Sequence, residues 1–295
     1  MDILEKYKDI LINELIKIYP NEDLSAISFE FPRDITHGDF STNAALILSK
    51  KLKINPNEVY TNIEKFFEEP TWTFEYNNIP DLPKEELIDW VITQSGWPYL
   101  KIELPNCPYE EMLEEALSMY DAFQTHRTYG DNTKGWRSIC IYGEAWNRTE
   151  YWETYEDNKG KQLEDIKFDW CPEVIEHCPI TYKYFKDTYP ENPGQRIRFM
   201  LLEPGGYIEP HNDRTEHYLG PINISLNMPE GCIFRMKDKG DVPMTDHSAF
   251  LVDIGNIHSV WNNSKEPRVH IISHGGFKPE VRELIYETVQ KMLDK

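Results

Sequence analysis

Six short apolar runs, each closed by glycine, proline or charged turn residues, recur through the second half of the chain and limit its fold more than any other feature. They read "WRSICIYG" (136–143), "QRIRFMLLEPG" (195–205), "GPINISLNM" (220–228), "CIFRMKD" (232–238), "SAFLVDIG" (248–255) and "PRVHIISHGG" (267–276). Runs of this length and texture are strands, and their spacing predicts a β-sandwich or jelly-roll barrel. Several alternate in polarity. Asn223, Ser225 and Asn227 fall on one face with Ile222, Ile224 and Leu226 on the other; Arg196 and Arg198 lie opposite Ile197 and Phe199; His270 shares its face with Arg268. A barrel lined by the polar set can orient a polar substrate and cosubstrate. The plainer alternatives are that Arg196 and Arg198 pair with acids on an exposed sheet face and that His270 is a hydrogen-bonded core histidine. Helical patches over 84–94 and 109–123 precede these strands, and "PEVRELIYETVQKMLDK" closes the chain as a helix.

The first 70 residues have a different texture. Ile3, Leu4, Tyr7, Leu11, Leu15 and Ile18 recur at three- and four-residue steps, an amphipathic helix ended by Pro20. "AISFEFP" (26–32) is a short strand, and "GDFSTNAALILSKKL" (38–52) opens with capping residues and becomes a helix. A further helix starts at "NPNEVYTNIEKFF" (55–67), with Asn55 as N-cap and Pro56 at the first helical position. The proline-punctuated stretch that follows breaks the pattern. The expected division is an α+β domain over 1–70, a linker over 71–94, and a mainly-β domain with flanking helices over 95–295.

A net charge of −20 opposes sequence-independent binding to nucleic acid or to an anionic membrane, both of which need Lys and Arg against phosphate. No run approaches the roughly 20 apolar residues of a membrane span, and the N-terminal stretch interleaves charges with its apolar positions, unlike a signal peptide. Five scattered cysteines, an odd number, indicate reduced thiols and a cytoplasmic protein. Cys171, His177 and Cys178 lie close together, but no second Cys/His pair sits at finger spacing, which argues against zinc.

The chemistry concentrates around "GGYIEPHNDRTEHYLGP" (205–221). His211 and Asp213 flank Asn212, so in extended chain both side chains point to one face. His258 follows a later strand, which a barrel folding back on itself can bring beside the first. Two imidazoles and one carboxylate leave three positions open on a metal, the arrangement expected of non-heme Fe(II) oxygenases. Those positions suit a chelating cosubstrate and O₂. Arg268, ten residues after His258, offers the planar fork that grips a carboxylate such as the distal one of 2-oxoglutarate. Taken alone, a His-x-Asp pair is also an ordinary polar turn. The order strand, His-x-Asp, strands, His, Arg is what favours the metal. His217, His247 and His274 read as surface or turn histidines.

"RFMLLEPGGYIEPHND", "GPINISLNMPEGCIFR", "FLVDIGNIHSVWNNS" and "PRVHIIS", with "GWRSICIYG" and "CPEVIEHCPITYKYF" upstream, resemble the aspartyl/asparaginyl β-hydroxylase family of 2-oxoglutarate-dependent oxygenases over roughly residues 95–277. The resemblance implies a double-stranded β-helix (jelly-roll/cupin) domain that uses Fe(II), 2-oxoglutarate and O₂ to hydroxylate an amino acid or a peptidyl Asp/Asn-type residue. It implies His211 and His258 as iron ligands and Arg268 on the 2-oxoglutarate carboxylate. Asp213 completes the triad as in bacterial relatives such as proline cis-4-hydroxylase, whereas the animal members lack a carboxylate here. The strand alternation, apart from the resemblance, puts Asn223, Ser225, Arg198 and His270 beside Arg268 as the further cosubstrate-binding residues expected. The animal members also carry an Arg and a His on the strand after the first ligand; here it reads "PINISLNM", so those contacts do not carry over.

"FPRDITHGDFSTNAALILSKKLKINPNEV" (31–59) is similar to the N-terminal domain of arginyl-tRNA synthetase, where a His-Gly-Asp segment opens a helix. That likeness implies tRNA or a translation component as a partner through residues 1–70. Through Glu69, however, 8 Lys/Arg face 13 Asp/Glu, few cations to neutralise phosphates. His37, Gly38, Asp39 and Asn43 are then either contacts or simply a turn and helix cap. The rival to an oxygenase is an adaptor that binds tRNA or the translation machinery and carries a structural or metal-sensing barrel. A cupin with other metal chemistry ranks below both, since it leaves Arg268 without a role.

Overall fold

A computed structural model of the chain describes residues 19–30, 41–53, 74–126, 133–190, 196–275 and 277–294, with positions 8, 11–13, 15–16, 55–56, 59 and 194. Their contacts divide the chain into two units, Met1–Trp72 and Thr73–Lys295.

In the first unit β1 (Phe29–Glu30) pairs antiparallel with β2 (Ser41–Thr42), and α1 (Ala44–Leu52) follows. Leu11, Leu15, Leu24, Ile27, Ala44, Leu48 and Val59 form its core. Asn43 does not cap the helix through its side chain. Its Oδ1 accepts the Ser28 N–H at 2.7 Å and its Nδ2 donates to the Ala26 carbonyl, so it ties the helix start to the segment entering β1. His37, Gly38 and Asp39, and most of the helix expected over 55–67, lie outside the described residues.

The second unit is built on a curled antiparallel sheet. Its strands are β3 (Tyr99–Ile102), β4 (Gln124–Thr125), β5 (Thr133–Gly143), β6 (Asp169–Trp170), β7 (Arg196–His211), β8 (Ile222–Ser225), β9 (Cys232–Met236), β10 (Gly240–Asp241), β11 (Ser248–Val252), β12 (His258–Asn262) and β13 (Arg268–His274). The order β10-β9-β12-β7-β13-β8-β11-β3 runs through one long strand, β7. Its first half, through Leu202, pairs with β13; its second half, from Tyr207, pairs with β12. Two four-stranded layers therefore share β7, one of β7-β13-β8-β11 and one of β7-β12-β9-β10, which is a double-stranded β-helix. Gly205 and Gly206 mark the crossover. A Cβ on Gly206 would lie 2.7 Å from the Glu203 carbonyl and 2.8 Å from that of Lys134, so the close approach requires glycine. Where β12 and β13 diverge, the buried Asn262 amide donates to the Leu202 and Glu266 carbonyls, both at 2.8 Å, and satisfies backbone that the fork leaves unpaired.

Period-two alternation decides what each strand shows to either side. Ile197, Phe199 and Leu201 of β7, with Ile222, Ile224, Val269 and Ile271, face outward against α2 (Lys84–Thr93), α3 (Tyr109–Ser118), α5 (Pro179–Asp187) and α6 (Pro279–Leu293). A short α4 (Pro172–Ile175) precedes α5. Met200, Leu202, Phe234, Met236, Phe250 and Val260 face inward and form a separate lumen cluster. The stretch 71–94, read from sequence as a linker, thus includes α2, whose Leu87, Ile88, Val91 and Ile92 are buried in the outer core. Its amphipathic stripe had a sheet to cover. Glu115 of α3 accepts the Ile180 and Thr181 N–H groups at 2.8 Å, placing a carboxylate on the start of α5. No helix among the described residues is long and apolar enough to cross a membrane.

Candidate active site

The end of β7 and the start of β12 bring the two histidines together. His211 and His258 are direct partners across the β7–β12 ladder, with ring centroids 4.4 Å apart. Asp213 lies just past the strand, and its N–H donates to the Ile254 carbonyl at 2.9 Å, which fixes the turn against the loop that leads to His258. His211 Nε2 stands 3.8 Å from one Asp213 oxygen and His258 Nε2 stands 3.9 Å from the other. The three ligand atoms fall within 4.8 Å of one another. Both Nδ1 atoms are engaged elsewhere, His211 with the Glu209 carbonyl at 2.7 Å and His258 with that of Asn256 at 2.9 Å. These bonds set the tautomer and aim each Nε2 lone pair at the common point, the usual outer-sphere support of a metal-binding imidazole. The donor set fits a divalent first-row metal with open positions.

The ligand-bearing loops are clamped to each other. Asp253, buried, accepts His217 Nδ1–H at 2.6 Å, Asn256 Nδ2 at 2.9 Å and the Gly255 N–H at 2.9 Å. His217 Nε2 accepts in turn from the Gly96 N–H at 3.2 Å. One carboxylate therefore joins the segment after Asp213 to the segment before His258. His217, expected at the surface or in a turn, belongs to this clamp. His247 does sit in a turn, with positive φ, stacked on Tyr109 at 5.5 Å.

A cavity of about 400 Å³ opens beside the triad, lined on its apolar side by Trp136, Ile208, Phe234 and Val260. Arg268 lies on its wall, 1% exposed. Its contacts are the sulfurs of Met228 and Met244, at 3.2 and 3.4 Å, and His270 Nδ1 at 3.0 Å. No carboxylate pairs with it among the described residues. Burial pulls its pKa down to about 10. His270, also on the cavity, is held well below the ordinary histidine range by burial and then by Arg268 and Arg198, so it stays neutral and accepts from Arg268. A buried cation that, among the described residues, meets thioethers and an imidazole suits an anion.

Of the other expected contacts, Asn223 and Arg198 line the cavity. Arg198 donates to the Thr149 carbonyl at 2.6 Å and to His274 Nε2 at 3.0 Å. Ser225 is fully buried and donates to the Asn227 carbonyl at 3.2 Å, outside the cavity lining. His274, expected at the surface or in a turn, ends β13 and lines the cavity instead, because the strand carries it on the same face as Arg268 and His270. Arg196 also turns inward rather than toward acids of an exposed face. His126 and Arg214 line the cavity without having been singled out from sequence. No local pattern marks them, since each arrives on a segment outside the barrel strands.

Residues 108–274 match the aspartyl/asparaginyl beta-hydroxylase family model, and residues 5–78 match that of the arginyl tRNA synthetase N-terminal domain. The arginine–tRNA ligase of Chelativorans sp. (strain BNC1) is 42% identical over 62 residues, which cover 19% of this chain and 11% of that protein. That of Staphylococcus epidermidis is 38% identical over 63 residues, 20% of this chain and 11% of that one. The chain thus spans about a tenth of the length of the curated relatives it matches. Among solved structures, a Trichoplax adhaerens prolyl hydroxylase in complex with a hypoxia inducible factor peptide fragment aligns with TM-score 0.37 and 14% identity, over 68% of this chain and 93% of that one.

Proposed function

The chain belongs to the aspartyl/asparaginyl β-hydroxylase family, and from that premise we propose that it is an Fe(II)- and 2-oxoglutarate-dependent dioxygenase that hydroxylates a C–H bond. The observation that carries the reading is the coincidence, in one cavity, of the His211, Asp213 and His258 donors with the buried, carboxylate-free guanidinium of Arg268. His211, Asp213 and His258 would hold the iron through two Nε2 atoms and a carboxylate oxygen. Bound there, Fe(II) with 2-oxoglutarate and O₂ supplies the oxidising power for hydroxylation, with succinate and CO₂ as coproducts. Arg268 takes the distal carboxylate of the cosubstrate, and neutral His270 holds the guanidinium in register. Trp136, Ile208, Phe234 and Val260 keep water from the reacting carbon. The substrate is an amino acid or a peptidyl Asp/Asn-type residue. Five free thiols support a reducing, cytoplasmic setting.

The test is succinate formation by anaerobically Fe(II)-loaded protein on exposure to O₂ with 2-oxoglutarate, beside His211→Ala. Turnover is expected to vanish with metal binding in the variant; undiminished turnover there refutes the assignment. A second reading concerns the first unit alone. Its match to the arginyl-tRNA synthetase N-terminal domain supports tRNA as a partner. Binding of tRNA that weakens steeply with salt is expected on that reading, and none at low salt discards it.

A further inference from the structure

Among the described residues four arginines line the cavity, Arg196, Arg198, Arg214 and Arg268, against two acids, Glu150 and Asp213, in a chain of net charge −20. The sign of the cavity is the reverse of the sign of the chain. Cosubstrate binding accounts for Arg268, but Arg196 is far from it along the sheet. In the β7–β13 ladder Arg268 pairs with Leu202 and His274 pairs with Arg196. Six residues of strand separate them, about 20 Å at the usual rise. A five-carbon dicarboxylate seated on Arg268 does not cover that length.

Neither arginine has a carboxylate partner among the described residues. Arg196 donates to the Thr149 carbonyl at 3.2 Å, and burial lowers its pKa. Arg214 donates to the Gly220 carbonyl at 3.0 Å and lies over the Tyr218 ring at 5.2 Å. His274 stands with them. Its Nε2 accepts from Arg198, which leaves Nδ1–H as its donor. A second cavity, of about 380 Å³, shares Arg214, Pro221 and His274 with the first and adds Tyr218 and Phe277, whose rings stack 6.0 Å apart. Arg214 and the His274 N–H thus meet where the two cavities join, with Arg196 opposite His274 in the ladder, and gathering two guanidiniums around one buried imidazole is costly.

We infer that Arg196, Arg214 and His274 form an anion subsite that holds an oxyanion of the substrate, a carboxylate or a phosphate, while the body of the substrate runs past Tyr218 and Phe277. The inference rests on the oxygenase reading, which assigns the other anion position to 2-oxoglutarate. Planar guanidinium forks recognise either oxyanion through paired hydrogen bonds, so the substrate is required to carry a negative charge.

Calorimetric titration of the full chain with N-acetylglycine and with inorganic phosphate tests it, in the presence of Mn(II) and saturating 2-oxoglutarate. N-acetylglycinamide and matched potassium chloride serve as controls. Saturable binding of at least one anion is expected, with none of the amide, and the responsive anion identifies the group. Arg196→Gln and Arg214→Gln should each weaken that binding about tenfold or more, while retained 2-oxoglutarate binding certifies the folded cavity. Absence of saturable binding for both anions, equal binding of the amide, or unchanged affinity in both variants overturns the subsite. The same titrations run without 2-oxoglutarate keep the two ideas apart. If 2-oxoglutarate does not bind the wild-type protein, the oxygenase reading fails while the anion result still decides the subsite.

Discussion

Replacing Arg268 by methionine should make the metal-free protein more stable and the cosubstrate site useless. The guanidinium is 1% exposed, and its contacts are two thioethers and one imidazole. Burial holds its pKa at about 10, more than two below an ordinary arginine. At about 1.4 kcal/mol per tenfold change in proton affinity, keeping the cation there costs about 3 kcal/mol. Because the folded pKa is lowered, that cost is fully present below pH 10 and is relieved only as pH rises past it. Methionine fills a similar volume among Met228 and Met244 without the charge. Exchanging an uncompensated buried charge for an apolar side chain gains on the order of 1–4 kcal/mol, which in a unit of this size raises the thermal midpoint by about 2–16 °C. The cosubstrate, deprived of a desolvated charged partner, should lose about 2–5 kcal/mol, at least about 30-fold in Kd. Thermal unfolding of metal-free Arg268→Met, with titration of 2-oxoglutarate into the Mn(II)-loaded variant, reads both quantities. A variant that melts below wild type, or that binds 2-oxoglutarate within about threefold of it, would refute the reasoning.

Three further outcomes follow from the geometry. Asp253→Asn keeps one oxygen for the Gly255 N–H but replaces the oxygen that accepts from His217 and Asn256 with an NH2 donor, and should cost about 2–3 kcal/mol of stability and about tenfold in Co(II) affinity; an unchanged Co(II) visible spectrum and Kd would show that the clamp does not position the ligands. His270 and His274 are held neutral, their pKa values pulled well below 6.5 by burial and then by neighbouring arginines. The unfolded chain takes up those protons near pH 6.5 and the folded one does not, so metal-free stability should fall below pH 6.5 by up to about 1.4 kcal/mol per pH unit for each residue. His270→Gln should flatten that slope in urea unfolding between pH 6.5 and 5, and an identical slope counts against buried neutral histidines. Gly206→Ala forces a Cβ to within 3.0 Å of two backbone carbonyls, and should cost about 2–3 kcal/mol; a neutral effect on the urea midpoint would mean that the crossover can relax.

What the sequence determined by itself was periodic and local. Alternation in β7, β8 and β13 assigned each side chain to a face, because successive strand residues point to opposite sides whatever the strand pairs with. The His-x-Asp step marked His211 and Asp213 as a pair, but Asp213 lies just past the end of β7 and is held in its turn by the bond from its N–H to the Ile254 carbonyl. Which face would be covered, and by what, was not local. Arg196, Arg198 and His274 had their faces fixed in sequence, yet only closure of the two layers made that face a lumen rather than a solvated surface. α2 is legible in sequence as a helical patch, but the outer sheet face it covers is assembled from strands as late in the chain as β13, so nothing local separates it from a linker. The pairing of His211 opposite His258, the clamp from Asp253 to His217, and the arrival of His126 and Arg214 at the cavity all depend on strand order and loop docking. Those are contacts between distant segments, whose register is set by the burial of whole faces and not by the residues that meet.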